Sequence, residues 1–190
     1  MRKLKLQMQT SIDGFPQYGA NDEQHWVIRA WDEIKNYILD LANSCDTEII
    51  GRRLAVDYIP YWLEANRRPD NPMYELAKIK VSQKKIVFSK SLDKSLWDNT
   101  ELAKGDLVDE VYKLKKQNGK DIIVYGGTTF VSELISSGLI DEYHLFLNPV
   151  ILGKKGVPIF DKLESYRQLK LKRSLVYDCG IVLLHYEPKR

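Results

Sequence analysis

The stretch Asp121-Ile122-Ile123-Val124-Tyr125-Gly126-Gly127-Thr128-Thr129-Phe130 runs a short apolar strand into two adjacent glycines and then into a helix pattern. Ile122 to Tyr125 has no polar interruption, as expected for a strand buried on both faces. Phe130, Val131, Leu134 and Ile135 then recur at helical spacing, and Gly138 marks the stop. Glycine lacks the Cβ that would hold a ligand off the backbone, and the first N–H groups of a helix, with its dipole, favour an anion. The junction therefore reads as a place where main-chain amides approach a phosphate. The plainer reading of the same residues is a tight turn with close helix-strand packing. The pattern is neither G-x-G-x-x-G nor a phosphate loop ending in Lys-Ser/Thr.

Strand and helix patterns alternate on the way back to the N-terminus. Asp106 is placed to cap a helix with Leu107, Val111 and Leu114 on one side, closed by Asn118-Gly119. Lys85 to Ser89 reads as a strand that ends in Ser89-Lys90-Ser91, and Thr47 to Gly51 as another, followed by Arg52-Arg53 at a second strand-to-helix junction. Between them, Tyr61 to Pro72 holds Pro69 and Pro72 with Asn66, Arg67, Arg68 and Asp70. It predicts a surface excursion that covers a cleft, with a short helix over Pro72 to Lys80. Trp31, Ile34, Ile38 and Leu41 share one face of a helix from about Arg29 to Asn43. Leu4, Leu6 and Met8 mark a first strand, followed by the breaker-rich loop Ser11 to Gly19. After Gly138 the character changes: Asp141 to Leu152, Leu169 to Asp178 and Ile181 to Glu187 are strand-like, and Asp178-Cys179-Gly180 joins the last two. This end is expected to be antiparallel, with one solvated face on the strand bearing Leu169, Leu171, Leu175 and Tyr177.

A chain of 190 residues that is 44% hydrophobic can fill one core, so residues 1–190 are expected to form a single domain. Its 29 basic and 26 acidic residues leave a net +3, too little for a nucleic-acid-binding stripe. The lysines at 113, 115 and 116 and at 154 and 155 read as solvated faces. Cys45 and Cys179 lie far apart, outside any C-x-x-C pair, which suggests a reducing compartment. Met1 to Gln9 alternates polar and apolar residues with no export signal, and no membrane-length span follows, so a cytoplasmic protein is expected. His144 and His185 fall in strand patterns with no carboxylate or cysteine at sequential ligand spacing, so no metal is expected.

In open α/β sheets, ligands sit outside the carboxyl ends of the parallel strands. Three such ends here carry Gly51-Arg52-Arg53, Ser89-Lys90-Ser91 and Gly126-Gly127-Thr128-Thr129. Arginine offers a bidentate fork, serine and threonine offer hydroxyls, and glycines offer bare amides. One guest with several phosphates would use all three. Asp13 is a candidate to position substrate or water, with a turn-forming aspartate as the plainer reading. His25 beside Trp26 is a candidate pocket residue, or an exposed loop histidine. Trp31, Tyr58, Tyr61 and Trp62 are candidate walls for a flat ring, although Trp31 on its helical stripe is more simply core.

Several of these stretches, taken in order, resemble a known family. Ser11-Ile12-Asp13-Gly14, Gly51-Arg52, Phe88-Ser89-Lys90-Ser91, Val124-Tyr125-Gly126-Gly127, Leu139-Ile140-Asp141-Glu142 and Asn148-Pro149-Val150-Ile151-Leu152-Gly153 are similar to the dihydrofolate-reductase-like fold. The branch they most resemble is the reductase domain of riboflavin biosynthesis, the RibD C-terminal family, here as a stand-alone relative. The resemblance implies a three-layer α/β fold: a mostly parallel eight-stranded sheet with antiparallel C-terminal strands and helices on both faces. It implies NADPH as cofactor, hydride transfer to a small pterin- or pyrimidine-like substrate, and a homodimer with no nucleic-acid or membrane partner. The alternative is a non-catalytic dinucleotide-binding sensor or interaction module.

By the family pattern, Gly126 and Gly127, joined by a cis peptide, would hold the pyrophosphate with Thr128, Thr129 and Phe130 at the helix start. Gly51, Arg52, Arg53, Ser89, Lys90 and Ser91 would approach the adenosine phosphate and explain a preference for NADPH. The loop from Ile12 to Gly19 would cover the nicotinamide, with Gln9 and Thr10 near its carboxamide and Asp13 as the candidate catalytic group. Two departures stand out. Leu54, Ala55 and Val56 replace the threonine, tyrosine and glutamate that often follow Gly-Arg, and Arg29 stands near the slot where a folate reductase carries its carboxylate.

Overall fold

A computed structural model describes residues 1–20 and 24–189. In chain order the elements are β1 (Leu4–Thr10), β2 (Gln17–Tyr18), α1 (Trp31–Asn43), β3 (Cys45–Gly51), α2 (Arg52–Asn66), α3 (Tyr74–Ser82), β4 (Lys84–Phe88) and β5 (Thr100–Ala103). They continue with α4 (Leu107–Lys116), β6 (Asp121–Val124), α5 (Thr128–Ser136), β7 (Glu142–Leu147), β8 (Gly156–Val157), β9 (Leu169–Val176) and β10 (Val182–Pro188). Eight strands form one sheet in the order β5-β4-β3-β6-β1-β7-β10-β9, while β2 and β8 form a separate ribbon. The expected mostly parallel sheet with an antiparallel C-terminal end is what the chain builds. No helix among the described residues is long and apolar enough to cross a membrane.

The chain resolves into two compact units, residues 1–3 with 35–127 and residues 4–34 with 128–190. In the first, β3, β4, β5 and β6 are all parallel. Ile122, Ile123 and Val124 are fully buried, as their uninterrupted run predicts. Ile50, Ala55, Ile59 and Val87 form one core cluster, and Leu41, Cys45 and Ile123 another. Asp106 caps α4 as expected, its Oδ1 accepting from the N–H of Val108 at 2.9 Å and of Asp109 at 3.2 Å.

The first unit departs from expectation in two places. Tyr61 to Asn66 is not a surface excursion but the last part of α2, which carries Pro60 inside it. Ala55, Ile59 and Ala65 form a buried helical stripe that holds the helix through the proline, and only the segment after Asn66 turns away. Thr100–Ala103 is an edge strand with no clear sequence signal, because only Leu102 and Ala103 in it are apolar.

The second unit runs β1-β7-β10-β9, with β1 and β7 parallel and the rest antiparallel. Leu4, Leu6, Phe146, Ile181 and Leu183 are fully buried in this unit, as are Val131, Leu134 and Ile135 of α5. Gly138 ends α5 as predicted, with φ +70°, its N–H on Ile135 O at 3.0 Å and the N–H of Leu139 on Leu134 O at 3.0 Å. Strand β9 was expected to be solvated on one face. It is open on both, with residues 170–174 all exposed, and it also forms the edge of the sheet.

Candidate functional site

In the first unit, Gly51 and Phe88 are partners in the parallel β3/β4 register, and β6 flanks β3 on its other side. The carboxyl ends of β4, β3 and β6 are therefore neighbours on one edge, and Gly51-Arg52-Arg53, Ser89-Lys90-Ser91 and Gly126-Gly127 follow directly from them. The three strand ends that the sequence singled out do share one edge.

Each end has its own local logic. Helix α2 begins at once after β3; Gly51 is its N-cap, with no side-chain cap bond and no acidic residue in the first turn. Arg52 and Arg53 are exposed there, two cations at the positive end of a helix dipole, an arrangement that favours an anion between them. At the end of β4, Ser89 is buried, and its Oγ accepts from Leu92 N at 3.0 Å and Ser91 N at 3.3 Å. That turn fixes the loop and leaves the exposed Lys90 and Ser91 at its tip. At the end of β6, a Cβ built on Gly126 would meet only Leu54 Cδ2, at 3.4 Å, with no other protein atom within 4 Å. A small side chain at this position would touch Leu54 and little else among the described residues.

The expected cis peptide between Gly126 and Gly127 is absent: all described peptide bonds are trans. Gly127 turns the chain instead through a left-handed conformation, φ +80°, which only glycine adopts without strain.

Behind Tyr125 lies a cluster that sequence reasoning missed. Lys80 of α3 is buried, donates to Tyr58 Oη, and sits 2.9 Å from the ring centroid of Tyr125 and 4.9 Å from that of Trp62. Tyr58 and Trp62 thus enclose a lysine, while Tyr61 is exposed. Buried Glu48 lies in the same cluster, its Oε2 without a hydrogen-bond partner among the described residues. Burial pushes the Lys80 ammonium down to about 7; the Glu48 charge opposes this, and Lys85 adds to it. The rings and the lysine hold Tyr125, the residue from which the glycine pair departs.

In the second unit, Thr128 opens α5, and its hydroxyl donates to Gln17 Oε1 at 2.6 Å. Gln17 Nε2 in turn donates to Gly19 O at 2.9 Å, which ties the β2 ribbon to the helix start. Thr129 is exposed and Phe130 half-buried. Thr10 is buried and Ile12 exposed, with the Ile12 N–H on Val150 O at 2.9 Å. Asp13 Oδ2 accepts from Gly153 N at 2.8 Å and Oδ1 from Leu152 N at 3.1 Å. Burial acts to raise the Asp13 carboxyl, but hydrogen bonds from Ser11, Gly153 and Leu152 outweigh it and hold the group below the ordinary value. An ionised, engaged carboxylate clamps the loop; it is a poor proton donor.

Asn148, fully buried after β7, is the hub of this unit. Its Nδ2 donates to Gln9 Oε1 at 2.8 Å, and its Oδ1 accepts from Ile28 N at 2.8 Å. Strand β1 and the stretch leading into α1 are thereby joined through one amide. In that stretch Trp26 is buried with its indole Nε1 lacking an acceptor among the described residues, while His25 is exposed and packs edge-on to Tyr18 at 5.6 Å. At the far end of β7, strand pairing brings Glu142, His144 and His185 together, a grouping that sequential ligand spacing does not reveal.

Comparisons with known proteins agree with this architecture. The profile of the RibD C-terminal domain matches residues 2–183. YyaP of Bacillus subtilis, itself uncharacterised, is 34% identical over 186 residues, covering 97% of this chain and 94% of the relative. Among solved structures, a protein from Shewanella sp. PV-4 named for riboflavin biosynthesis superposes with TM-score 0.72 at 22% identity, over 100% of both chains. A Thermotoga maritima diaminohydroxyphosphoribosylaminopyrimidine deaminase/5-amino-6-(5-phosphoribosylamino)uracil reductase gives TM-score 0.70 at 17% identity, over 99% of this chain and 57% of that one. At these identities the two structures speak to the fold.

Proposed function

The chain belongs to the RibD C-terminal domain family, and from that premise we propose that it is an NADPH-dependent reductase that delivers hydride to a small heterocycle of the pyrimidine or pterin class. The observation that carries this reading is the edge of the first unit. Three adjacent strand ends there offer a helix start with no side-chain cap and two arginines, a serine-lysine-serine tip, and a glycine whose missing Cβ would meet only Leu54 among the described residues.

These residues fit a phosphorylated dinucleotide. Arg52, Arg53, Lys90 and Ser91 would hold the adenosine phosphate that distinguishes NADPH from NADH, and Gly126, Gly127, Thr128 and Thr129 would hold the pyrophosphate. The bound cofactor supplies the hydride; the protein orients, excludes water and positions substrate. In the second unit, Asn148 sets the Gln9 amide and Asp13 pins the Ser11 to Phe15 turn against Leu152 and Gly153. The pyrimidine class is suggested by the Thermotoga relative, whose name specifies a substituted uracil.

Single-turnover oxidation of protein-bound NADPH, followed at 340 nm across pyrimidine, pterin and quinone compounds, tests the assignment. Oxidation by at least one class supports a reductase. Tight NADPH binding with no oxidant in the whole panel would favour a dinucleotide sensor.

A further inference from the structure

Glu142 and His144 stand two apart on β7 and so project from the same face. His185 of β10 lies directly across from His144 in the antiparallel register. His144 Nε2 is 3.1 Å and His185 Nε2 is 3.4 Å from the same oxygen, Glu142 Oε2, and the three donor atoms all lie within 4.8 Å of one another. We propose that these residues form a divalent metal site of the zinc class, completed by water, which cross-links β7 to β10.

The chemistry and the spacing both point this way. Two imidazoles and a carboxylate are a donor set that suits zinc. With metal-ligand bonds of roughly 2.0–2.1 Å, the edge of a tetrahedral shell is about 3.3 Å, and the two nitrogen-to-oxygen separations, that of the His144–Glu142 hydrogen bond among them, are compatible with it. Glu142 and His144 are buried, which limits competition by water, whereas the His185 side chain keeps 18% of its surface exposed and leaves a route of entry. The two rings are stacked, with centroids 4.2 Å apart and 20° between their planes. A metal must lie in the plane of each ring it binds, so loading requires the His185 ring, the more accessible one, to turn out of the stack. Lys5 Nζ, 4.0 Å from Glu142 Oε2, is the opposing element: its charge competes with the cation for the carboxylate.

The site is structural rather than catalytic. Glu142 pairs with Lys5 at the start of β1, whereas Gln9 and Thr10 pair with Phe146 and Leu147 at the other end of the same two strands. The metal would therefore bind at the opposite strand end from the proposed nicotinamide pocket.

The test is zinc titration of the untagged, chelator-treated full chain at pH 7.5 by calorimetry, alongside thermal unfolding and imidazole 15N spectra. One ion per chain, a raised Tm and two shifted histidine Nε2 resonances are expected, with NADPH affinity unchanged. Lys5→Met should tighten zinc by about tenfold or more, since it removes a nearby positive charge. His185→Gln should weaken it beyond the ~10–100-fold that loss of an outer-shell partner costs. No stoichiometric zinc on the wild-type chain, or zinc bound equally well by a folded His185→Gln protein, overturns the site. The wild-type nitrogen spectra decide the matter even if a variant fails to fold.

Discussion

Asn148 donates its Nδ2 to Gln9 Oε1 at 2.8 Å while its Oδ1 holds the N–H of Ile28 at 2.8 Å, so one buried amide orients a side chain on β1 and fixes the approach to α1. A carboxylate there cannot donate to Gln9, and alanine leaves the part-buried Ile28 amide without this acceptor. Asn148→Asp and Asn148→Ala should each lose about 1–3 kcal/mol of stability. Both should also weaken substrate saturation more than cofactor binding. Urea unfolding and separate KM values for NADPH and substrate check this; an unchanged substrate KM in a folded variant would assign Asn148 to stability alone.

Arg52 and Arg53 crowd the positive end of α2 with no acidic neighbour in the first turn. Replacing either with alanine should relieve that repulsion and stabilise the free protein slightly, while weakening NADPH binding by roughly tenfold or more and leaving NADH nearly unaffected. Paired titrations with the two nucleotides measure the ratio. Equal losses for both would move the arginines away from the distinguishing phosphate.

Gly126 is the cleaner probe of the glycine pair. At Gly127 the φ of +80° would strain any branched residue, so Gly127→Val confounds folding with binding. Gly126→Ala places its methyl 3.4 Å from Leu54 Cδ2 and otherwise in open space. The variant should fold with a Tm near that of the wild type yet bind NADPH at least tenfold more weakly. Full affinity in that variant would reduce the pair to a turn.

Lys80 sets a pH dependence whose sign is fixed. Its folded value is about 7, against 10.5 ordinarily, so between those limits the unfolded chain binds more protons and stability rises with pH. Below about 7 both states are protonated, and the folded state bears the full cost of a buried ammonium. Tyr58 and Tyr125 are pushed well above 10 by burial, so the trend reverses once unfolded tyrosines ionise. From pH 7 to 9 the wild type should gain about 2 kcal/mol, taking 1.4 kcal/mol per pH unit as the ceiling. Lys80→Met should flatten that slope, even if its baseline falls because Glu48 loses a partner. Urea midpoints at pH 6, 7, 8 and 9 decide it; parallel slopes for the two proteins would contradict the assignment.

The parts legible in the sequence are those in which one segment carries its own signal. Ile122 to Val124 announces a strand buried on both faces, Asp106 and Gly138 punctuate helices by capping chemistry, and the three strand ends are contiguous motifs. The less legible parts draw on several segments at once. The Lys80 cluster combines residues of β3, α2 and α3 with Tyr125 just after β6, and the Glu142, His144 and His185 grouping exists only through cross-strand register. Pro60 and the prolines after it hid the second half of α2, because tertiary burial of Ile59 and Ala65 outweighs a local breaker. Asn148 lies in a stretch whose likeness to the family is plain, but nothing local reveals that its amide is buried and shared.

The most direct measurement is a backbone amide NMR titration of the 15N-labelled chain with NADPH. The largest shifts should fall on Gly51 to Arg53, Ser89 to Ser91 and Gly126 to Thr129, with weaker matching shifts for NADH. Binding that perturbs other amides while leaving Gly126 and Gly127 still, or no binding of either nucleotide at millimolar concentration, would contradict the proposal that this edge receives the cofactor.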